Sequence, residues 1–361
     1  MRGKKMRAAV WYGKQDTRVI DVPEPPSPGV GEVKIKVAWV GVCGTDLHEY
    51  SAGPIFMPIE PHPLTGKCAP LTQGHEFSGI IEEVGEGVDN FKPGDRVTAD
   101  SATWCGECWA CQRREYSLCD KCAFLGLGRD GVFAERVTMP VAGVFHIPDA
   151  LPFDKASFCE PTAVAVHALR RGRMIPGESV LITGAGNQGL LTYQILKNSP
   201  AHQVFVAARK GMRSDLMRKL GAEVLDPTEI DVVEEVKQRT GGDGVDLAIE
   251  TAGQPQTVAM AIKATRKQGR VVEVGIFEEP IALDLNDIVF NEIEFIGMLN
   301  NGGEIPQAIQ LLADGRVDPG PMISNRIPLE DVVEKGLKEC IENKSSNIKV
   351  LVNCNADLWE G

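Results

Sequence analysis

Ser179-Val180-Leu181-Ile182-Thr183-Gly184-Ala185-Gly186-Asn187-Gln188-Gly189 is the stretch whose reading decides the fold. A short apolar run predicts a buried strand, and the G-x-G-x-x-G turn after it opens a helix, which is the context that makes this motif informative. Gly184 allows the tight turn, Gly186 lets a pyrophosphate approach the backbone, and Gly189 lets the helix pack on the strand. The free N–H groups of the first helical turn, at Asn187 and Gln188, then face the phosphates.

Outward from this turn, short apolar strands alternate with helices. Strands are expected at Val204–Ala207, Ala222–Leu225, Val245–Glu250, Arg270–Gly275 and Glu292–Leu299, separated by helices at Leu190–Ser199, Ser214–Leu220, Asp231–Arg239 and Pro255–Thr265. Continuous apolar strands between helices indicate a parallel sheet covered on both faces, a doubly wound α/β domain over residues 158–300. Its ligand belongs at the carboxyl ends of the strands, where Thr251, Val274, Gly275, Met298, Leu299 and Asn300 are the candidate nicotinamide contacts. An NAD site carries an acid roughly 20 residues past the glycines to hold the ribose 2′-hydroxyl. Here Ala208 stands at that place, with Arg209, Lys210 and Arg213 after it. Arginine offers planar bidentate donors to a 2′-phosphate, so NADP is expected in preference to NAD.

Residues 1–157 read as β-rich, with strands at Met6–Tyr12, Val33–Val42, Phe77–Val84, Arg96–Ala99 and Gly131–Val137 and a loop from Val144 to Asp154. Val33, Ile35 and Val37 alternate with Lys34 and Lys36, which marks one buried face. A Pro-rich loop from Gly53 to Leu71 is a candidate wall for a substrate pocket. Residues 301–361, with a helix at Ile305–Asp314 and a strand at Ile348–Val352, are expected to return to this first domain.

Two clusters carry metal chemistry. Cys105-x2-Cys108-x2-Cys111-x7-Cys119 has a spacing that, in a reducing compartment, reads as a metal site. Cys43 and His75-Glu76 supply a thiolate, an imidazole and a carboxylate, the mixed set that holds a catalytic zinc and leaves a position for an oxygen ligand. Such an ion is a Lewis acid. Thr45, two residues beyond Cys43, and His48 are candidates to carry a proton from a bound alcohol to solvent.

The formal charge of −12 argues against a general nucleic-acid or anionic-membrane binder. No apolar run reaches the length of a membrane span, and the basic N-terminus lacks the apolar segment of a signal peptide, so a cytoplasmic location is expected.

In their order along essentially the whole chain, Cys43-Gly44-Thr45-Asp46-Leu47-His48, Gly74-His75-Glu76, Gly94-Asp95-Arg96-Val97, the four-cysteine lobe, Glu160-Pro161 and the Gly184 turn resemble the zinc-dependent medium-chain alcohol dehydrogenases. Within that family the chain is most similar to the polyol branch, and in the loop His62-Pro63-Leu64-Thr65-Gly66 to its 2,3-butanediol dehydrogenases. The resemblance implies a GroES-like catalytic domain beside the Rossmann domain. It implies a catalytic zinc on Cys43, His75 and a carboxylate, either Glu76 or Glu160, a closed four-thiolate structural zinc on Cys105, Cys108, Cys111 and Cys119, and a homodimer or homotetramer. It also implies interconversion of vicinal diols such as 2,3-butanediol with ketones such as acetoin. A sorbitol-type polyol or sugar dehydrogenase is the neighbouring alternative, and a non-catalytic NADPH- and zinc-binding protein the alternative from another class. Ala208 departs from the branch, whose close relatives commonly keep an acid there.

Overall fold

A computed structural model describes residues 4–359. The chain divides into two compact units. One runs through Glu160 and includes Ile305–Ala313 and the chain from Ile323; the other comprises Pro161–Glu304 and Asp314–Met322. The sequence boundaries at 158 and 300 leave Asp314–Met322 with the first unit, but it packs with the second. The Gln194 side chain explains why: its oxygen accepts from the Asp318 N–H at 2.9 Å and its amide nitrogen meets Met322 Sδ at 3.4 Å.

In the second unit a six-stranded parallel sheet runs in the order Glu223–Leu225, Gln203–Ala207, Ser179–Thr183, Val245–Glu250, Thr265–Glu273, Glu294–Gly297. The order reverses direction at Ser179–Thr183, the doubly wound arrangement expected from the alternating pattern. Leu181, Phe205, Ala248 and Val271 are fully buried beneath the covering helices, which is why these strands read as unbroken apolar runs.

The first unit is antiparallel for the most part. Its central strand, Glu32–Gly41, pairs with Glu76–Val84, Arg136–Pro140 and Lys349–Asn353. Val33, Ile35 and Val37 face the core as their alternation requires. Lys34, expected on the open face, is buried as well, with its ammonium 3.1 Å from Glu83. The strand expected at Gly131–Val137 begins at Arg136, because Gly131, Val132 and Phe133 give their N–H groups to Thr72, Gly74 and Gln73. The expected loop from Val144 contains a strand, Val144–His146, and a helical turn, Phe153–Ala156. The strand Asp16–Pro23, which the sequence reading did not mark, pairs with Lys5–Gly13.

This sheet delivers the site. Gly41 lies opposite Glu76 on one side and Leu351 on the other, so three neighbouring strands end together. Phe77, the residue after Glu76, is fully buried, worth on the order of 2–3 kcal/mol, and fixes the strand that carries His75 and Glu76. The chain leaves the central strand at Cys43 and enters the helix Gly44–Ala52.

Candidate metal centre and coenzyme turn

Cys43 is the N-cap of the helix Gly44–Ala52, and its own N–H is held by the Asp46 carboxylate at 3.0 Å. A capping carboxylate three residues into a helix satisfies an N–H at the helix start and so fixes the cap residue. Thr45 lies inside the first turn with its hydroxyl 3.7 Å from the Cys43 sulfur, and half-buried His48 follows one turn later on the same face.

One donor atom each from Cys43, His75 and Glu76 lies within 4.8 Å of the others. Glu160, from the start of the helix Cys159–Arg171, is outside this close set but is buried and electrically coupled to it. Burial, reinforced by Glu76 and Asp100 and opposed by His75, pushes the Glu160 carboxyl up to about 8. Burial likewise pushes the Cys43 thiol well above its ordinary value, with Glu76 adding to the effect.

Two side chains that the sequence reading passed over complete the surroundings. Asp46 is fully buried with one carboxylate oxygen 3.8 Å from His75 Nδ1, and these two atoms have no hydrogen-bond partner among the described residues. That contact turns Nδ1 toward the carboxylate and leaves Nε2 for a cation. Lys349 forms an ion pair with Glu76, both side chains almost wholly buried. The pair crosses Gly41, where a Cβ would sit 2.5 Å from the Glu76 carboxylate and 2.6 Å from the Lys349 stem. Burial pulls the Lys349 ammonium down, but Glu76 and Cys43 outweigh it and leave the group above its ordinary value. A faint signal for Lys349 existed in the sequence, a lysine inside the apolar run Ile348–Val352. Cys43, Asp46, Glu76 and Glu160 against a single lysine make a buried set of donors whose charge, once ionised, one ammonium does not balance, and burial holds Cys43 and Glu160 toward their neutral forms without a cation. That donor set fits a divalent cation.

Cys105, Cys108, Cys111 and Cys119 also converge, with sulfur–sulfur separations of 3.5 Å for Cys105–Cys119 and 3.9 Å for Cys105–Cys111. A tetrahedron with zinc–sulfur legs of about 2.3 Å has edges of about 3.8 Å, so the cage has the right size. Backbone N–H groups stabilise thiolate here: the Cys111 N–H is the largest influence holding Cys108 down to about 6. Cys122 is outside the cage.

In the second unit Gly184 has φ +110°, and a Cβ on Gly189 would meet the Gly184 carbonyl at 2.1 Å, so these glycines serve the turn and the helix packing. Gly186 has open space where its Cβ would be and caps the helix Asn187–Lys197. Side-chain oxygens of Asn187 and Gln188 are buried there without hydrogen bonds among the described residues, which suits an incoming polar ligand. The Thr251 hydroxyl donates to the carbonyl of Thr183, bracing the turn from the next strand. Val274, Gly275, Met298 and Asn300 are half-buried near the carboxyl ends of their strands, and Leu299 is exposed. Ala208 is buried, Arg209 and Lys210 are exposed, and Arg213 is half-buried. The nearby Asp226 carboxylate is committed to the N–H groups of Lys210 and Thr228.

Residues 29–149 match the alcohol dehydrogenase GroES-like domain and residues 189–314 the zinc-binding dehydrogenase domain. A (R,R)-butanediol dehydrogenase of Bacillus subtilis is 38% identical over 97% of this chain and 100% of its own. The crystal structure of 2R,3R-butanediol dehydrogenase from Bacillus subtilis superposes with a TM-score of 0.90 at 38% identity, covering 97% of this chain and 100% of that one. A zinc-binding dehydrogenase from Sinorhizobium meliloti 1021, bound to NADP, gives 0.86 at 32% identity, over 97% and 99%. With both domains matched and full-length relatives well above 30% identity, the chain belongs to the zinc-dependent medium-chain alcohol dehydrogenase family and is an oxidoreductase.

Proposed function

We propose that this enzyme interconverts vicinal diols such as 2,3-butanediol with α-hydroxyketones such as acetoin, using NADP, at a site where Cys43, His75 and Glu76 would hold a zinc, with the buried Glu160 carboxylate as the alternative ligand. The observation that carries the reading is the convergence of Cys43, His75 and Glu76 beside the Thr45 hydroxyl. A zinc held there would supply Lewis acidity toward a substrate oxygen, and a nicotinamide coenzyme would supply the hydride chemistry. The protein's own part is proton handling and charge. Thr45 accepts the hydroxyl proton of the alcohol and donates its own onward, and His48, one turn further, passes it to solvent. Asp46 orients His75, and Lys349 offsets Glu76. The test is NADP reduction with a panel of 2,3-butanediol, sorbitol and aldoses, run with zinc analysis. Turnover of the vicinal diol above the polyols supports the reading, and preference for sorbitol overturns it in favour of the sorbitol-type alternative.

NADP preference is supported by small, buried Ala208 with exposed Arg209 and Lys210 beyond it, and by an Asp226 already engaged. Exchanging Ala208→Asp is expected to shift the kcat/KM ratio toward NAD, and an unchanged ratio refutes the assignment. For the assembly we propose a homodimer through the edge strand Glu294–Gly297. Its neighbours Leu285, Val289 and Phe290 are 64%, 65% and 76% exposed, and a second copy laid antiparallel against the open edge would cover them. Light scattering of Phe290→Asp, expected to be monomeric where the parent is dimeric, tests this. No helix among the described residues is long and apolar enough to cross a membrane. The convergence of Cys105, Cys108, Cys111 and Cys119 as a metal-binding thiol set supports placement in the reducing cytoplasm.

A further inference from the structure

The central strands of the parallel sheet end on a row of polar side chains that the proposed chemistry does not use. Thr183, Glu250 and Glu273 are the last residues of three neighbouring strands, paired in register, Thr183 with Glu250 and Glu250 with Glu273. Residues level with one another on adjacent strands project to one face of the sheet, and the Glu273 carboxyl is within hydrogen-bonding reach of Glu250. On the other flank of Glu273 the register partner is Gly297, whose carbonyl accepts from the Arg171 guanidinium at 3.2 Å.

The two acids are satisfied unequally. Glu250 is fully buried, and its Oε1 accepts from the Ala252 N–H at 2.9 Å and from the hydroxyls of Thr257 at 2.7 Å and Thr183 at 3.4 Å. The Gly253 N–H reaches both of its oxygens, at 3.2 and 3.0 Å. With every one of these partners donating, Glu250 serves as an acceptor. Glu273 Oε1 accepts from the Gly275 N–H at 3.0 Å, but Oε2 is buried and no donor among the described residues reaches it. An ionised oxygen in that position is a buried anion facing another carboxylate, whereas a protonated one is a donor to it. Burial first, then the hydrogen bond and the charge of Glu250, push the Glu273 carboxyl up to about 10 against the opposing Gly275 N–H. Glu250 is the one titratable side chain among the described residues that bears on it.

The backbone N–H groups that this pair holds, those of Ala252, Gly253 and Gly275, belong to the turns that carry the candidate nicotinamide contacts Thr251, Val274 and Gly275. These turns press against each other: a Cβ on Gly275 would lie 2.5 Å from the Gly253 Cα and 2.5 Å from Glu250 Oε2. We propose that Glu273 is a positioning residue for the nicotinamide end of the coenzyme: as a neutral acid it donates through Oε2 to Glu250 while Oε1 holds Gly275, and the joined acids lock the two turns against one another. The ligand of an open α/β sheet lies outside these strand ends, so a shift of either turn moves a wall of its pocket. Release of the shared proton to solvent leaves two anions side by side between the turns and drives them apart. The neutral pair is complete below the ordinary glutamate value of 4.5 and is lost as pH rises through about 10, so coenzyme binding weakens on the alkaline side. This rests on a nicotinamide coenzyme and not on the choice of substrate.

The test is fluorescence titration of the zinc-loaded enzyme with NADPH, and with NADH, from pH 7 through about 10, in the parent, Glu273→Gln and Glu273→Leu. 2′-Phospho-ADP-ribose, which lacks the nicotinamide ring, is the control ligand. Leucine can neither donate nor accept, so Glu273→Leu is expected to weaken the nucleotide about tenfold at pH 7 and to add no alkaline change of its own. Glutamine keeps one donor and one acceptor and does not ionise, so Glu273→Gln should restore binding close to the parent's at pH 7 and lack the parent's alkaline weakening. The control ligand should bind all three proteins alike. Infrared difference spectra at pH 7, parent minus Glu273→Gln, should show the carbonyl stretch of a protonated carboxyl. Alkaline weakening shared equally by the parent and Glu273→Gln, or a difference spectrum without that band, overturns the proposal, and both readings stand if Glu273→Leu does not fold. Equal weakening of the control ligand in Glu273→Leu also overturns it. A parent that binds neither NADPH nor NADH overturns the coenzyme reading and the role of Glu273 with it.

Discussion

The four-thiolate lobe and the buried centre around Cys43 gather donor atoms by opposite routes. Cys105 and Cys119 are 14 residues apart, and the whole cage comes from one local stretch. Glu76 and Lys349 are 273 residues apart, and the centre exists only when the sheet of the first unit has closed. The electrostatics follow. Backbone N–H groups near solvent make Cys108 a thiolate at neutral pH, whereas burial pushes Cys43 and Glu160 toward their neutral forms until a cation arrives. The lobe is thus ready for metal by local geometry, and the centre by global folding.

The sharpest way to break this contrast is Cys43→Ala. Lewis acidity is worth several kcal/mol to the transition state, so turnover should fall about a thousandfold or more while one metal equivalent is lost and the lobe keeps its own. Steady-state rates with metal analysis check this; parental turnover would show that the centre is not where the chemistry occurs. Next comes Lys349→Met, which in metal-free protein leaves Glu76 buried without its partner and should cost about 3–5 kcal/mol in denaturant unfolding. Adding Glu76→Gln to that variant should recover part of the loss, and no recovery would mean that the pair does not act as a unit. Cys108→Ser should act on the lobe alone, lowering Tm on the order of 5–10 °C while kcat of the folded enzyme stays close to the parent's.

The smallest effect is a labelling pattern. Cys108 is held at about 6, below the thiol's ordinary 9.0, so its thiolate stabilises the metal-free fold above pH 9 and that contribution fades as pH falls through about 6. In metal-free protein at pH 7, iodoacetamide should modify Cys108 and spare Cys43. Peptide mass spectrometry reads the order directly, and modification of Cys43 first would reverse the comparison.

Legibility followed the same division. The strand–turn–helix around Gly184 and the spacing of the lobe cysteines were readable because the physics is local: a left-handed turn needs glycine, and four thiolates on one loop need only short spacers. Cys43 and His75-Glu76 were readable as one donor set because a thiolate, an imidazole and a carboxylate are the mixed ligands of a catalytic metal, and these three donors converge in the folded chain. Asp46 escaped notice because an acid in a helix's first turn has an ordinary capping use, and only burial shows it turned to His75 as well. Lys349 acts through space, on a strand whose adjacency to Glu76 no spacing encodes. The misplaced strand start at Arg136 has the same origin, since the preceding residues bond to a segment near Thr72 that local pattern cannot supply.

The ion pair across Gly41 also has a consequence in time. Synthesis runs from the amino terminus, so the nascent chain carries Cys43, His75, Glu76 and Glu160 long before the ribosome has made position 349. Throughout that interval the half-built pocket lacks its resident cation of protein origin, and early metal capture or delayed burial must bridge the gap until the final strand docks.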